Sequence, residues 1–406
     1  MKIYLVGGAV RDQLTGRKPH DFDYVVTGAT PEQMLQAGFV PVGKDFPVFL
    51  HPETHCEYAL ARKEIKTGAG HRDFEFVFSP EITLQEDLER RDFTCNAIAK
   101  DTDSGELIDF HGGTADIRNR ILRHVNSKHF PEDPLRVIRM CRFAAQLGFS
   151  VAPETMDLAK KMVQNGELAH LSPERIWGEL QKALNCHDFW QFVVTARQCG
   201  ALAAILPEAE KLWQTPELPQ FHPEGNSGDH TQLCLQAAGD EPNIVKFAVL
   251  LHDIGKTLTP AEILPHHYEH ETAGLPLIEK ICNRLKVPND YCRFAKIVCA
   301  QHMKFCHIRQ MKIAALLRLA DAVVGSHHPE YAEYYIAACR ADNTNMPAAE
   351  FDANAERLRQ VIKISAQIHA TDMQNFAALP KDEKFKEIYW NFRCREVQKK
   401  LTDNNK

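Results

Sequence analysis

The chain has 406 residues, of which 44% are hydrophobic and 25% charged, and its formal net charge is −6. This composition is typical of globular proteins and excludes the collagen-like and low-complexity classes, while the length predicts two or three domains. The acidic balance argues against nucleic-acid binding by the whole surface. The segment 118–142, however, carries seven Lys or Arg against two Asp or Glu, and such a local excess can hold RNA phosphates.

The cysteine pattern and the apolar runs bear on the compartment. Twelve cysteines are scattered along the chain without a C-x-x-C pair. Lys2 leads directly into a strand-like segment, so no secretory signal is predicted. The longest apolar runs, such as 247–251, are too short to cross a bilayer. We therefore predict a reduced, cytoplasmic protein with no membrane attachment.

The first 115 residues predict an α/β domain built on a mixed sheet. A strand-like segment at 2–6 is followed by the Gly7-Gly8 turn and by a short helix that ends at Leu14. Segment 21–26 predicts the next strand. The later strand-like segments lie at 48–50, 57–61 and 74–78.

Beyond residue 115 the pattern becomes helical. The predicted helices span 133–148, 153–164 and 173–184. Residues 213–229 contain three prolines and two glycines and predict a linker, after which the chain is helical again from His230. The predicted parts are an α/β head at 1–115, an all-α neck and body at 116–212, a second all-α domain at 228–329 and a helical tail at 330–406.

Two carboxylates lie at the start of the predicted second strand. Asp21 and Asp23 are separated by one residue, and positions i and i+2 of a strand project to the same side. Carboxylates held in this way can bind divalent cations that clamp the attacking and leaving oxygens of a phosphoryl transfer. Hard oxygen ligands beside a nucleotide phosphate favour Mg²⁺. An isolated D-x-D in a solvated turn would have no such role, so its surroundings decide between the two interpretations.

The Gly7-Gly8 turn supplies those surroundings. Gly8 opens the first helix, and backbone N–H groups at a helix N-terminus bind phosphate. Arg11 lies one turn along this helix, within reach of the same phosphates. A strand, a Gly-Gly turn and a helix followed by D-x-D is the arrangement of a nucleotidyltransferase.

Four sequence blocks extend this pattern through the first 185 residues. They are LVGGAVRD at 5–12, DFD at 21–23, RRDFTCNA at 90–97 and EDPLRVIRMCRF at 132–143. In content and order they resemble the class II tRNA nucleotidyltransferases and the related bacterial poly(A) polymerases. The resemblance implies a polymerase β-like head that adds and repairs the 3′-terminal CCA of tRNA. The enzyme would use CTP and ATP and release pyrophosphate by a two-metal mechanism.

The last block places an acid and three arginines three residues apart. On a helix such neighbours can act together, and the alternative is a solvated basic helix. Cytosine and adenine each present an amine donor beside an acceptor nitrogen, which matches a carboxylate beside a guanidinium, whereas uracil and guanine do not. The resemblance implies this base-reading role for Asp133 and Arg136. It implies nucleotide contacts for Arg91, Arg139 and Arg142.

Two features of the first site stay open. A third carboxylate is common in related polymerases, and both Glu57 and Glu64 are candidates for it. The glycine-containing segment 66–71 predicts a mobile loop that reshapes the nucleotide pocket between C and A addition.

The second half of the chain is rich in histidine. His252-Asp253 follows an apolar run, and His230 precedes it on a helix-like segment. Further histidines and one candidate acid follow at His266, His267, His270, His302 and Asp321. This order resembles the HD phosphohydrolase superfamily, in which such residues bind a metal that activates water.

The resemblance implies a metal site made of His230, His252, Asp253 and a last ligand, for which Asp321 is preferred to Asp342. Imidazole ligands favour Ni²⁺, Co²⁺ or Mn²⁺. The resemblance also implies phosphatase and 2′,3′-cyclic phosphodiesterase activity, as in the multifunctional CCA proteins. The alternative is an inactive helical domain with leftover histidines.

Three other functions compete with CCA addition. A poly(A) polymerase has the same head motifs, but those of this family lack an HD domain. A phosphohydrolase whose head only binds nucleotide, and a non-catalytic tRNA-binding module, would leave the Asp21 and Asp23 pair without a role. The expected partners are CTP, ATP and the acceptor end of tRNA, and monomer and homodimer both stay open.

Overall fold

The computed structural model describes residues 1–19, 21–42, 48–66, 74–325, 328–372 and 383–403. The chain forms two compact units. The first comprises Met1–Ala183 and Gln191–Ile205, and the second comprises Leu184–Trp190 and Leu206–Lys406. The predicted head and the helical neck and body therefore fall largely into the first unit.

A seven-stranded mixed sheet forms the centre of the first unit, in the order β3-β4-β5-β2-β1-β8-β9. Strand β2 pairs with β5 in parallel, and the other neighbours of this sheet are antiparallel. Two-stranded pairs join β6 to β7 and β10 to β11. The strands are β1 (Lys2–Val6), β2 (Asp23–Thr27), β3 (Val40–Val42), β4 (Val48–Leu50), β5 (Glu57–Leu60), β6 (Arg62–Lys66), β7 (Phe74–Phe78), β8 (Ala99–Asp101), β9 (Leu107–Ile108), β10 (Ile121–Leu122) and β11 (Ser150–Val151).

The helices of the first unit cover the sheet and build the neck and body. The second residue of the Gly7-Gly8 turn starts the first of them. They are α1 (Gly8–Leu14), α2 (Pro31–Gln36), α3 (Leu84–Glu89), α4 (Gly113–Asn119), α5 (Leu135–Leu147), α6 (Pro153–Gln164), α7 (Pro173–Leu184), α8 (Phe189–Gln198) and α9 (Ala201–Ile205). The helices predicted at 153–164 and 173–184 are confirmed.

Alternation along the central strands gives the sheet two apolar faces. One face buries Tyr4, Val6 and Val25 against Leu84 and Leu88 of α3. The opposite face buries Val26 and Leu60 together with Met34 of α2. Asp23 is two residues before Val25, so it lies at the edge of the face that α3 covers.

The second unit is helical throughout its described part. Its helices are α10 (Pro207–Glu210), α11 (Ser227–Ala237), α12 (Asn243–Leu251), α13 (His270–Leu285), α14 (Asn289–Gln301), α15 (Ile313–Val324), α16 (Tyr331–Asp342), α17 (Ala348–Asp372) and α18 (Glu383–Asp403). Short 3-10 helices span Ile254–Leu258 and His302–Gln310. The predicted fold class, an α/β head followed by all-α parts, is confirmed.

The structure corrects the interpretation of 213–229 as a linker. Thr215 and Glu217 are both buried, and Pro216 forms a β-bridge with Asn226. The carboxylate of Glu217 accepts hydrogen bonds from Ser227 and from Lys256, at 2.6 and 2.8 Å. Prolines and glycines therefore shape a packed segment of the second unit here, since its buried polar groups have partners within that unit.

Candidate functional site

The turn after β1 brings the backbone of Gly7 close to the guanidinium of Arg91. Gly7 has φ 71°, a conformation that side chains rarely adopt, and a Cβ there would lie 3.0 Å from Arg91 Nη1. The backbone conformation favours glycine at this position, and a side chain there would also displace Arg91. Gly8 then opens α1, so the N–H groups at the start of that helix and Arg91 lie beside the end of β1.

The predicted carboxylates lie beside this turn. Asp23 is the first residue of β2, and its register places it opposite Val6 on β1 and beside Glu57 on β5. Side chains in register on neighbouring strands share a face, so Glu57 lies on the same face of the sheet as Asp23. Glu64 lies in β6 and pairs with Phe76 in a different sheet. Asp21 precedes the strand, which corrects the prediction that the strand starts at that residue.

The charge of this group suits a cation. Asp21, Asp23 and Glu57 are solvent-exposed. Partial desolvation raises the pKa of Asp23, Arg91 opposes this rise, and the nearby charge of Asp21 adds to it. Neighbouring carboxylates repel one another, and a cation bound between them relieves this repulsion. Because carboxylate oxygens are hard donors, the group fits a divalent cation such as Mg²⁺.

A buried polar network ties α1 to α5. Arg11 donates from Nη1 to Asn96 Oδ1 at 2.7 Å, and Asn96 Nδ2 donates to Asp92 Oδ1 at 3.0 Å. Arg139 donates to Asp92 Oδ2 from Nε at 2.9 Å and from Nη2 at 2.6 Å. Arg11 and Arg139, both predicted to contact nucleotide, are therefore held in place by Asn96 and Asp92 of the third sequence block.

This network predicts a pH-dependent stability of the first unit. Burial would raise the pKa of Asp92, but Arg139, Asn96 and Arg136 outweigh it and hold the pKa at about 2. A depressed pKa stabilises the fold above the ordinary aspartate value, and the effect disappears as the pH falls through the folded value. We expect Asp92→Asn to cost about 2 kcal/mol at neutral pH, and less as the pH falls from about 4 to 2. Amide hydrogen exchange of α5 measures this, and a difference independent of pH would contradict it.

The predicted base-reading residues have separate partners. Asp133 and Pro134 precede α5, and Asp133 accepts hydrogen bonds from the Leu135 N–H at 3.0 Å and from Arg175 Nη2 at 2.9 Å. Arg136 is buried and donates to the carbonyls of His129 and Arg90, at 2.6 and 2.7 Å. The guanidinium that pairs with Asp133 is thus that of Arg175 on α7, which lies 42 residues away and which no local sequence spacing indicates.

Arg142 packs into the body of the first unit. It is buried, donates from Nε to Glu179 Oε2 at 2.5 Å and from Nη1 to Gln146 at 2.6 Å, and stacks on Phe143. These contacts brace α5 against α7. Of the three spaced arginines, Arg139 is the most exposed, with about a third of its side chain accessible.

A second cluster forms inside the second unit. It collects residues from the middle of one helix and from the ends of four others. The members are His230 and Cys234 of α11, His252 and Asp253 after α12, His270 at the start of α13, His302 after α14, and Asp342 at the end of α16. Gly255 permits this convergence, because a Cβ there would lie 1.9 Å from the His270 carbonyl oxygen.

Each histidine is oriented by its Nδ1 atom. His252 and His270 place Nδ1 at 2.8 Å from the carbonyls of Val249 and His267, and His302 does so at 3.0 Å from that of Cys299. His230 places Nδ1 at 2.9 Å from Glu224. An acceptor at Nδ1 fixes the proton there and leaves the Nε2 lone pair for a ligand, as the outer shell of a metal site does.

The Nε2 atoms converge on two carboxylates. His230 Nε2 lies 3.0 Å and His252 Nε2 lies 3.5 Å from Asp342 Oδ1. His270 and His302 place Nε2 at 3.3 and 3.4 Å from Asp253 Oδ1. Among the described residues, the buried atoms His252 Nε2, His270 Nε2 and Asp253 Oδ1 find no hydrogen-bond partner. Buried polar atoms that face one another unpaired fit a shared cation.

The electrostatics of the cluster agree with this fit. Burial would lower the pKa of His252, but Asp253 and Asp342 outweigh it and raise the pKa to about 10. Burial would raise the pKa of Asp342, but the surrounding histidines hold it far below its ordinary value. The carboxylates therefore stay charged and favour positive charge on the imidazoles, which a bound transition metal would supply instead of a proton.

Asp321 is wrong as the predicted last ligand. Its carboxylate accepts two hydrogen bonds from Arg393 of α18, at 2.8 and 2.6 Å, and so braces the C-terminal helix. Asp342 takes the place beside His230 and His252. His266 stacks on Tyr268, and His267 places Nε2 at 2.8 Å from the Pro216 carbonyl.

This correction gives a matched pair of variants. Asp342→Asn is expected to weaken Ni²⁺ or Co²⁺ binding by more than about 10-fold, the lower bound for loss of an outer-shell partner. Asp321→Asn is expected to leave metal affinity unchanged, and to destabilise α18 because Arg393 loses its charged partner and keeps only the hydroxyl of Ser365 among the hydrogen-bond acceptors of the described residues. Isothermal titration with each ion measures the affinity, and stronger loss in Asp321→Asn would contradict the geometry.

A mixed-sheet head with an acidic pair at a Gly-Gly turn, followed by a helical unit with a His and Asp cluster, defines a nucleotidyltransferase joined to an HD-type domain. Family profiles agree. The poly A polymerase head domain matches residues 3–123, the probable RNA and SrmB-binding site of polymerase A matches 148–212, and the HD domain matches 227–326.

Curated relatives define the family. A multifunctional CCA protein of Alkalilimnicola ehrlichii is 47% identical over 379 residues, covering 91% of each chain. One from Acinetobacter baumannii is 46% identical over 380 residues, covering 92% of each chain. The chain belongs to the multifunctional CCA proteins, which are CCA-adding enzymes with an HD domain.

Solved structures share the fold. A CCA-adding enzyme in complex with ATP has a TM-score of 0.66 at 20% identity, and covers 98% of this chain and 87% of its own. The Thermotoga maritima CCA-adding enzyme complexed with tRNA has a TM-score of 0.63 at 20% identity, with the same coverage. Within the described ranges, no helix has the length and apolar character needed to cross a bilayer.

Proposed function

We propose that the first unit adds and repairs the 3′-terminal CCA of tRNA, using CTP and ATP. The observation that carries this proposal is the group of Asp21, Asp23 and Glu57 beside the Gly7-Gly8 turn and Arg91. The family supports it, since relatives at 46–47% identity are named multifunctional CCA proteins. The tRNA 3′-hydroxyl attacks the α-phosphate, and pyrophosphate leaves.

The side chains divide the work of this reaction. Asp21 and Asp23, with Glu57, would hold Mg²⁺, which when bound neutralises the phosphates and aligns the attacking oxygen. Arg91 and the N–H groups of α1 bind the triphosphate. Arg139 reaches the nucleotide from a position fixed by Asp92. Arg11, held by Asn96, keeps α1 and the Gly-Gly turn in place.

Base selection rests on Asp133. Its carboxylate accepts the exocyclic amine that C and A share, while Arg136 donates to the neighbouring ring nitrogen through N–H groups not used on the carbonyls of His129 and Arg90. Arg175 fixes the carboxylate. The pocket therefore rejects U and G, which would leave buried polar groups unpaired.

Asp133→Asn is expected to relax this selection. An amide can donate to a carbonyl, so the preference for CTP over UTP should fall by roughly 10- to 100-fold, the equivalent of about 1–3 kcal/mol. Steady-state kinetics with each triphosphate on tRNA ending before CCA measures it. Glu132→Gln is a neighbouring control. Unchanged discrimination in Asp133→Asn would show that another group reads the base.

The second unit supports a hydrolase. We infer that His230, His252, Asp253 and Asp342 would hold a transition metal such as Ni²⁺, which when bound activates water for attack on phosphate. The substrates are phosphate monoesters and 2′,3′-cyclic phosphates, whose removal would prepare damaged tRNA ends for CCA addition. Release of phosphate from 2′-AMP and opening of 2′,3′-cyclic AMP test this with and without chelator, and activity that persists in chelator contradicts it.

The alternative of a poly(A) polymerase shares the head but makes a different product. It would extend RNA with ATP and have no use for CTP. CTP incorporation on tRNA that ends before CCA separates the two functions, and incorporation of ATP alone would favour the alternative.

The segment 66–71 is predicted to be a mobile loop of the head. Apart from Lys66, this segment lies outside the residues that the structure describes.

A further inference from the structure

A cysteine lies inside the histidine cluster of the second unit. Cys234 is one turn after His230 on α11, and it is 2% exposed. Its Sγ lies 3.4 Å from His230 Nε2. The candidate donor atoms of His230, Cys234, His252 and Asp342 all lie within 4.8 Å of one another. The H…HD…D pattern contains no thiol, and the proposed hydrolase site does not include Cys234.

The surroundings of this thiol differ from those of two other buried cysteines, Cys141 and Cys199. These donate to backbone carbonyls three or four residues earlier in the chain, those of Val137 and Ala196, at 3.3 and 3.4 Å. This is how a buried helical thiol is satisfied when it serves only to fill the core. Cys234 instead faces the lone pair of an imidazole whose Nδ1 is engaged by Glu224.

The distances between Cys234 and its neighbours suit metal coordination. Bonds of about 2.0–2.3 Å to N, O and S place the donors of a tetrahedral site roughly 3.3–3.7 Å apart. The separations of His230 Nε2 from Cys234 Sγ, of His230 Nε2 from Asp342 Oδ1, and of His252 Nε2 from Asp342 Oδ1 are 3.4, 3.0 and 3.5 Å. A small adjustment of side chains would close these donors on one ion.

We propose that Cys234 Sγ is a further metal ligand, which adds a thiolate to the proposed site of His230, His252, Asp253 and Asp342. This inference rests on the proposed metal-dependent function of the second unit and deepens it. A thiolate ligand selects Zn²⁺, Co²⁺ or Ni²⁺ over Mg²⁺ and Mn²⁺, which prefer oxygen. Binding forms the metal–sulfur bond and releases the thiol proton to solvent.

Cobalt reports the bond directly. One equivalent of Co²⁺ added to the metal-free full chain is expected to give a near-ultraviolet sulfur-to-cobalt charge-transfer band, which only a thiolate ligand produces. Cys234→Ser should lose this band, and its Zn²⁺ affinity should fall by at least about 10-fold, with a much smaller change for Mn²⁺. Cys282→Ser, at a buried thiol of α13 outside the cluster, is the matched control and should keep the band.

The outcomes separate this inference from the hydrolase proposal. Co²⁺ that binds the unaltered protein without the band, or a band that persists in Cys234→Ser, would overturn the ligation and leave the hydrolase intact. Failure of the unaltered protein to bind Co²⁺ would overturn both. X-ray absorption of the Zn²⁺-loaded unaltered chain tests the same bond without a variant, and a first shell that lacks sulfur would overturn it.

Discussion

Replacing Asp23 by asparagine is expected to lower incorporation of both CTP and ATP by about 10³-fold or more, with the fold intact. The carboxylate lies at the start of β2 beside Val6 and Glu57, where it would hold the cation against the triphosphate. Loss of a ligand that aligns the reacting oxygens removes several kcal/mol of transition-state stabilisation, and about 4 kcal/mol corresponds to that factor. Single-turnover incorporation on tRNA that ends before CCA measures the effect.

The matched control is Asp103→Asn. Asp103 is an exposed aspartate of the same unit, in the turn after β8, and its replacement should leave the rate unchanged. Substantial CTP incorporation by Asp23→Asn would remove this carboxylate from the reaction. Loss of ATP incorporation alone would also contradict a single site for both nucleotides.

Replacing Asp253 by asparagine is expected to abolish phosphodiesterase and phosphatase activity while nucleotide incorporation stays at its original rate. Asp253 is 2% exposed and lies within 3.4 Å of the Nε2 atoms of His252, His270 and His302. Its charge is what favours a cation among these imidazoles, so metal affinity should fall by more than about 10-fold. Metal content by mass spectrometry and hydrolysis of 2′,3′-cyclic AMP measure both effects.

The two activities should separate because the two clusters lie in different compact units. Asp352→Asn is the control, since this exposed aspartate of α17 forms a surface ion pair with Arg340. Its replacement should change neither activity. Hydrolysis that survives in Asp253→Asn would place the hydrolytic site elsewhere, and a large loss of incorporation would show that the units depend on each other.

Local patterns predicted the elements of the first site well. The strand at 2–6, the glycine turn and the helices at 153–164 and 173–184 follow from periodicity and turn chemistry, and the structure has them. Strand register does not follow from local sequence. Sequence spacing does not distinguish Glu57 from Glu64, whereas the strand pairing has Glu57 beside Asp23 and Glu64 in another sheet, which favours Glu57.

Contacts between residues far apart in the chain determine which acidic residue joins the histidine cluster, and sequence spacing does not predict these contacts. Asp321 fits the sequence order of an HD site, yet its carboxylate is taken by Arg393, 72 residues away. Asp342 reaches the cluster from a helix that was assigned to the C-terminal tail, 112 residues after His230. The same holds for the ion pair between Asp133 and Arg175. Arg175 lies on α7, and no local sequence spacing relates it to Asp133.

The most direct test of the central claim is to sequence the 3′ ends of tRNA lacking its last three nucleotides after incubation with the protein and all four triphosphates. We expect the acidic group beside the Gly7-Gly8 turn to serve both C and A, and Asp133 to bind the amine that the two bases share. The 3′ ends should therefore read C, C, A and extend no further. Runs of A, or ends that contain U or G in similar amounts, would contradict it.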